Sequence, residues 1–203
     1  MLTTLSTVKS RLGLLDTDTQ YDALLTSAIK AVSARFDKET NRTLARTVDA
    51  TFEFPPEDTE LIPPSYPIET VTKFELKTDE SSGWLEQTNV KYLLRQSCVI
   101  SLSSALYPAS PGSVLCLLSS VLCRVTYTGG YVLPGTTPLD GQVPLPAVLE
   151  QAAVEQTAFW FQTKDKLGLR TNWPSAGTYQ QIVVLDLLPS VSAVLSRYTR
   201  FTL

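Results

Sequence analysis

Apolar positions in the first forty residues recur at helical spacing. Leu5, Val8 and Leu12 mark a short helix that Thr4 can cap and Gly13 can stop. Tyr21, Leu25, Ala28, Ile29, Val32 and Phe36 keep the same period, with Lys30, Arg35 and Lys38 on the polar side. Thr19 and Asp22 have capping-box spacing, and the acids before them favour a positive helix end. Asn41 suits a left-handed C-terminal position. The spacing predicts two helices within 4–42.

From residue 46 the period falls to two. Val48, Ala50, Phe52 and Phe54 alternate with Asp49, Thr51 and Glu53, predicting a half-exposed strand that Pro55-Pro56 ends. Strand-like runs follow at 69–77, 84–86, 90–94, 99–102 and 123–127, broken by Gly, Pro and Ser. They predict an antiparallel meander or small barrel. Pro146 then opens a helix running to about Lys166, where its missing N–H is not needed. Val148, Leu149, Ala152 and Phe159 mark one face of that helix; Val154, Ala158 and Phe161 mark another. Phe159, Trp160 and Phe161 make it apolar nearly all round, which predicts enclosure within the fold or against a neighbouring subunit.

Residues 164–185 read as a loop with one strand at 181–185. Asp186 and Pro189 introduce a last helix, with Leu187, Leu188, Val191, Val194, Leu195 and Tyr198 spaced for one buried stripe. Arg197 and Arg200 suit its negative end. The predicted class is α+β in one domain, 1–203. A helical bundle (two N-terminal and two C-terminal helices, 4–42 and 145–200) carries an inserted antiparallel β subdomain, 46–132, rather than a doubly wound sheet.

Composition narrows the chemistry. The chain has 203 residues, 43% hydrophobic and 18% charged, which is globular rather than disordered composition. Seventeen basic and twenty acidic side chains give a net charge of −3, and neither half forms a basic patch, so groove-reading of DNA is not expected. Histidine is absent, which removes Ser–His–Asp and Cys–His nucleophiles and His-based metal sites. Cys98, Cys116 and Cys123 lack CxxC spacing and are expected to be reduced core thiols. The start, Met1-Leu2-Thr3-Thr4, lacks the basic flank and apolar stretch of a secretory leader. The charge-free stretch 96–123 holds Pro108, Pro111, Gly112 and eight serines, so it reads as buried strands and turns rather than a membrane span.

Candidate sites are few. Asp16, Asp18, Gln20 and Asp22 alternate like calcium-loop ligands. The sixth position is Tyr21 rather than Gly and the twelfth Ser27 rather than Glu, and helix capping explains the same residues. Asp49, Glu53, Glu57, Asp58 and Glu60 form an acidic run flanking a proline turn and are expected to be solvated; an acid/base hydrolase on Glu57 and Asp58 is a third-ranked reading. Gly129-Gly130 has no following lysine and no phosphate-loop frame, and is expected to be a turn. Trp84, Trp160 and Trp173 are scattered, as core or interface anchors are. A carbohydrate- or protein-binding β-module using Trp84 and the 96–123 region is the main alternative function.

Four segments, in order, carry a family resemblance. They are Leu2–Leu12 with Asp22-Ala23-Leu24-Leu25, Ile29-Lys30-Ala31 and Thr40-Asn41-Arg42; then Pro67-Ile68-Glu69-Thr70-Val71; then Val125-Thr126-Tyr127-Thr128-Gly129-Gly130-Tyr131 with Val143-Pro144 and Phe159-Trp160-Phe161; last Leu187-Leu188-Pro189 with Val194-Leu195-Ser196-Arg197-Tyr198. The series resembles the head–tail connector (adaptor, or head completion) proteins of tailed bacteriophages and gene transfer agents. Gln162 after the aromatic cluster is an amide, as is common in the family; departures are a final helix that the family often introduces by a more polar loop, and stretches at 132–143 and 164–185 longer than typical.

The resemblance implies a non-enzymatic virion protein without cofactor or metal. It implies a ring, typically twelvefold, under the portal vertex, assembled in the host cytoplasm and located in the neck. Such a ring extends the DNA channel without binding DNA specifically and joins a downstream neck, stopper or tail-terminator protein. Portal docking by the C-terminal segment maps onto Arg197, Tyr198, Arg200, Phe201 and Leu203. Twelve copies of a −3 chain would carry −36, consistent with acids of the 49–60 run or elsewhere facing a lumen through which DNA slides.

Overall fold

A computed structural model of the chain describes residues 1–103, 106, 121–164 and 186–201. The element order is α1 (Leu5–Leu12), α2 (Asp22–Thr40), β1 (Thr47–Phe54), β2 (Glu60–Leu61), β3 (Ile68–Lys77), β4 (Leu85–Gln87), β5 (Tyr92–Arg95), β6 (Val99–Leu102), β7 (Leu122–Gly129), α3 (Ala147–Gln162) and α4 (Pro189–Leu195). The class is mixed α+β. Two compact units form. The helical unit comprises Met1–Thr40, Leu133–Thr136 and Leu145–Thr199; the β unit comprises Asn41–Val132, Thr137–Pro144 and Arg200–Leu203.

In the helical unit, local signals set the ends. Thr4 Oγ1 accepts from Thr7 N at 3.2 Å, and Gly13 closes α1 in the left-handed region at φ 71°. The start of α2 differs from the expected capping box. Asp18 Oδ1 accepts from Gln20 N at 3.1 Å and Asp22 N bonds the Thr19 carbonyl at 3.2 Å, because the Asp22 carboxylate is taken by Lys9. Asn41 ends α2 at φ 51°. Leu25, Ile29, Val32 and Phe36 are the buried stripe of α2, and α3 packs against α1, α2 and α4. Val8, Leu25, Ile29 and Val154 form one core cluster, to which Leu5, Leu12, Leu14, Tyr21 and Phe161 add partly buried surface.

The third helix ends at Gln162, short of the expected Lys166, with Thr163 as its cap: the Thr163 N–H and hydroxyl both donate to the Phe159 carbonyl, the hydroxyl at 2.8 Å. Gln151 faces solvent, while its buried positions lie at Leu149, Ala152, Ala153, Val154, Thr157, Ala158 and Gln156, the last at 0% exposure. That amide is satisfied at both ends. Its nitrogen donates to Asp186 O at 3.0 Å and its oxygen accepts from Leu188 N at 2.8 Å, fixing the entry to α4. Only Val191 and Leu195 of the expected last stripe are fully buried, since the α-helix is seven residues long and tightens into a 3-10 turn at Ser196–Tyr198.

The β unit holds two antiparallel sheets, ordered β1-β7-β3-β4 and β2-β6-β5. This replaces the expected meander: β7 lies between β1 and β3, joining strands far apart in sequence. Its fitness for the centre is visible in burial, with Val125, Thr126, Tyr127 and Thr128 buried on both faces. Phe54, Leu61, Ile68, Phe74, Leu76, Ile100, Leu102, Cys123, Val125 and Tyr127 form the core of this unit. Each Val, Leu, Ile or Phe among them contributes about 1.5–3 kcal/mol by leaving water.

Val48 departs from the alternating reading and is 58% exposed. Four residues of β1, Thr47 to Ala50, oppose three of β7, Gly129 to Tyr127, a bulge with Asp49 at φ 51°. The extra residue turns Val48 outward. The short strand β2 was not anticipated. The expected strand at 181–185, together with Cys116 and Trp173, lies outside the described residues.

Candidate assembly surfaces

The end of the first motif segment, Asn41-Arg42, meets the second segment and the Val125–Tyr131 part of the third within the β unit. The Arg42 guanidinium lies 3.5 Å from the Tyr66 ring centroid and 5.3 Å from that of Tyr131, and also donates to the Tyr66 carbonyl. Gly130 N donates to Pro67 O at 2.8 Å, and Gly129 pairs with Ile68 on one side and Thr47 on the other. A Cβ at Gly129 would sit 2.5 Å from Ser65 O, and one at Gly130 would sit 2.5 Å from Ala45 O. The two glycines therefore serve close backbone approach at the end of β7, not a phosphate cradle. Tyr127, fully buried, accepts from Ser65 N at 3.1 Å through its hydroxyl. Burial pushes its phenol up, against the bond with Ser65 and the Arg200 charge.

The calcium-like run at 16–22 holds a side-chain cation of its own. Lys9 Nζ donates to Asp16 O and Asp18 O, and pairs with the Asp22 carboxylate. This buried lysine was not singled out from the sequence; its only hint is a cation on the apolar side of α1 facing an acid-rich turn. Among the described residues no group of three or more potential metal-ligating side chains comes together.

The acids Glu53, Glu57, Asp58 and Glu60 are all exposed. Glu53 stands opposite Arg124 in the β1–β7 register, and Glu60 pairs with Arg95 at 3.0 Å. Such exposed pairs contribute little to stability. Asp58 and Glu60 share a groove with Phe52, Leu61, Ile62, Arg200 and Phe201.

The aromatic trio of α3 is half-buried. Phe161 meets Tyr21 edge to face, with centroids 5.2 Å apart at 78°, and Lys164 lies 4.6 Å from the Phe161 centroid. Trp160 Nε1 is buried and finds no hydrogen-bond acceptor among the described residues.

The C-terminal candidates divide between the units. Arg197, exposed, and Tyr198, half-buried, belong to the helical unit. Arg200 and Phe201 belong to the β unit: the guanidinium of Arg200 lies 5.4 Å from the Phe52 centroid, while Phe201 is 81% exposed. Leu203 lies outside the described residues.

Trp84, the proposed face of a binding module, already stacks with protein. Arg124 sits 4.1 Å and Lys77 5.8 Å from its centroid. Arg124 also bonds the buried Glu75 carboxylate, which Lys73 approaches from its other oxygen. This set is a satisfied charge network of the sheet rather than an open stacking platform. Among the described residues no helix is long and apolar enough to cross a membrane.

No family model matches the chain, and no curated protein matches it. Solved structures do. A chain in the neck of an empty gene transfer agent particle, computed with C6 symmetry, superposes with a TM-score of 0.57 at 18% identity, covering 98% of this chain and 89% of that one. A chain of the native gene transfer agent virion superposes with a TM-score of 0.55 at 18% identity, with the same coverage. The fold of this protein is thus the fold of chains that build the neck and virion of gene transfer agents.

Proposed function

We propose that this protein is a structural component of a phage-type neck. It forms a ring that docks under the portal, extends the DNA channel and joins head to tail. The observation that carries the reading is the fold shared over 98% of the chain with a chain of an assembled neck. The sixfold symmetry of that neck is compatible with the twelvefold ring the resemblance implies, since a twelvefold ring contains a sixfold axis. In this reading the helices act as one bundle and the β unit as its insertion, a single domain with two working faces. The protein does no bond chemistry; its mating surfaces do the work.

Phe159, Trp160 and Phe161 then face partly inward and partly toward a neighbouring copy, a use that fits their half-burial. Arg197, Tyr198, Arg200, Phe201 and Leu203 reach the portal. Glu53, Glu57, Asp58 and Glu60 face the channel, where exposed carboxylates keep DNA from sticking. The ring assembles in the host cytoplasm, ends in the virion neck and offers its lower face to a stopper or tail-terminator protein.

Negative-stain imaging of the purified protein mixed with portal tests this. Rings capping the portal are the expected result. A protein that stays off the portal, or a variant lacking residues 199–203 that binds it as well as the full chain, contradicts the reading.

A further inference from the structure

Arg200 is held rather than free. It is half-buried and lines a β-unit groove of about 160 Å³ together with Phe52, Asp58, Glu60, Leu61, Ile62 and Phe201. The other walls of the groove suit this side chain: the Phe52 ring, 5.4 Å away, for a planar guanidinium, and two carboxylates on the same lining for its charge. Yet the grip is loose. Arg200 Nε is buried without a hydrogen-bond partner among the described residues, Glu60 is paired with Arg95, and the next residue, Phe201, is almost wholly in solvent. A contact made of ring and charge, without a bidentate carboxylate bond, releases easily.

We propose that this groove is a latch for the chain's own C-terminal arginine. In the free subunit the groove holds Arg200 and keeps one end of the tail off other surfaces. The tail engages a partner only after Arg200 leaves. That the partner is the portal rests on the function proposed above; the latch itself does not.

Brief trypsin treatment of the native chain, read by intact mass, tests the latch. Cleavage after Arg200 is compared with cleavage after the exposed Arg197 in the same molecule. In Asp58→Asn/Glu60→Gln the ratio of Arg200 to Arg197 cleavage should rise about fivefold over wild type, and high salt should move the wild-type ratio the same way. Phe52→Leu, which removes the ring and keeps apolar bulk, should raise it too and serves if the charge variant folds poorly. A ratio unchanged by all three treatments overturns the latch. Portal retention is scored separately. A raised ratio in variants whose full-length tail still does not hold portal overturns the docking role of the tail and leaves the latch standing.

Discussion

The Lys9 ammonium lies 2.5 Å from Asp22 Oδ1, with the lysine side chain 3% exposed. The same nitrogen donates to the carbonyls of Asp16 at 3.1 Å and Asp18 at 2.7 Å. One buried cation thus ties the turn between α1 and α2 to the first residue of α2. Removing one partner leaves the other charged and poorly solvated, which costs more than the pair contributes. Asp22→Asn should destabilise the protein by about 2–3 kcal/mol in urea unfolding. Lys9→Met/Asp22→Leu should recover part of that loss, since it removes both charges. A change within about 0.5 kcal/mol for Asp22→Asn would contradict this account.

Gly130 carries two constraints, a φ of 105° and a Cβ position 2.5 Å from Ala45 O. Gly141 carries only the first, a φ of 80° with nothing within 4 Å. Alanine at Gly141 should cost about 1–2 kcal/mol for the left-handed backbone alone. Alanine at Gly130 should cost at least about 3 kcal/mol, because the opposing atom is backbone and must move. Thermal melts of the two variants compare them directly. Equal losses would mean that the approach of residues 45 and 130 is not tight in solution.

What could be read in advance follows the range of the signal. Thr4, Gly13 and Asn41 announce helix ends because capping is local, and α2 shows its stripe at 3.6-residue spacing. The partners of β7 could not be read, because β1 and β3 reach it only in the folded chain and alternation does not name a neighbour. Alternation places Val48 on the side of Ala50, Phe52 and Phe54, because a bulge has no composition signal of its own. Lys9 and Gln156 were missed because periodicity treats polar residues as surface, while their burial depends on carbonyls and amides from other segments. At the candidate surfaces, the exposure of Glu57 and Asp58 was legible from the proline turn beside them. The seating of Arg200 on Phe52 was not, since nothing in a C-terminal arginine names its ring.

Glu75 makes stability depend on pH. Burial pushes its carboxyl up, but hydrogen bonds from Lys73 and Arg124 outweigh that and hold it below the ordinary glutamate range. The folded value is thus depressed relative to the unfolded one, about 4.3. Its stabilisation is fully present above that unfolded value and is lost as pH falls through the folded one. Glu75→Gln should be less stable than wild type by about 1–2 kcal/mol at pH 7, and the difference should shrink at pH 4 and again at pH 3. Melting temperatures of both proteins across that range check it. A difference that stays constant with pH would remove Glu75 from the acid response.

Cys123 lies fully buried in β7, and its thiol is pushed up to about 11, chiefly by burial and further by the Glu57 charge. Cys98 is half-buried at the turn before β6, its thiol 3.7 Å from Arg95 O. Alkylation requires thiolate and access, and Cys123 has little of either in the native state. Treated with iodoacetamide at pH 8 and mapped by peptide mass, Cys98 should react at least about a hundredfold faster than Cys123. Denaturant should bring the two rates together. Glu57→Gln should leave Cys123 protected, because burial is the larger cause. Labelling of Cys123 at the Cys98 rate without denaturant would mean that β7 opens readily, and with it the centre of the four-stranded sheet.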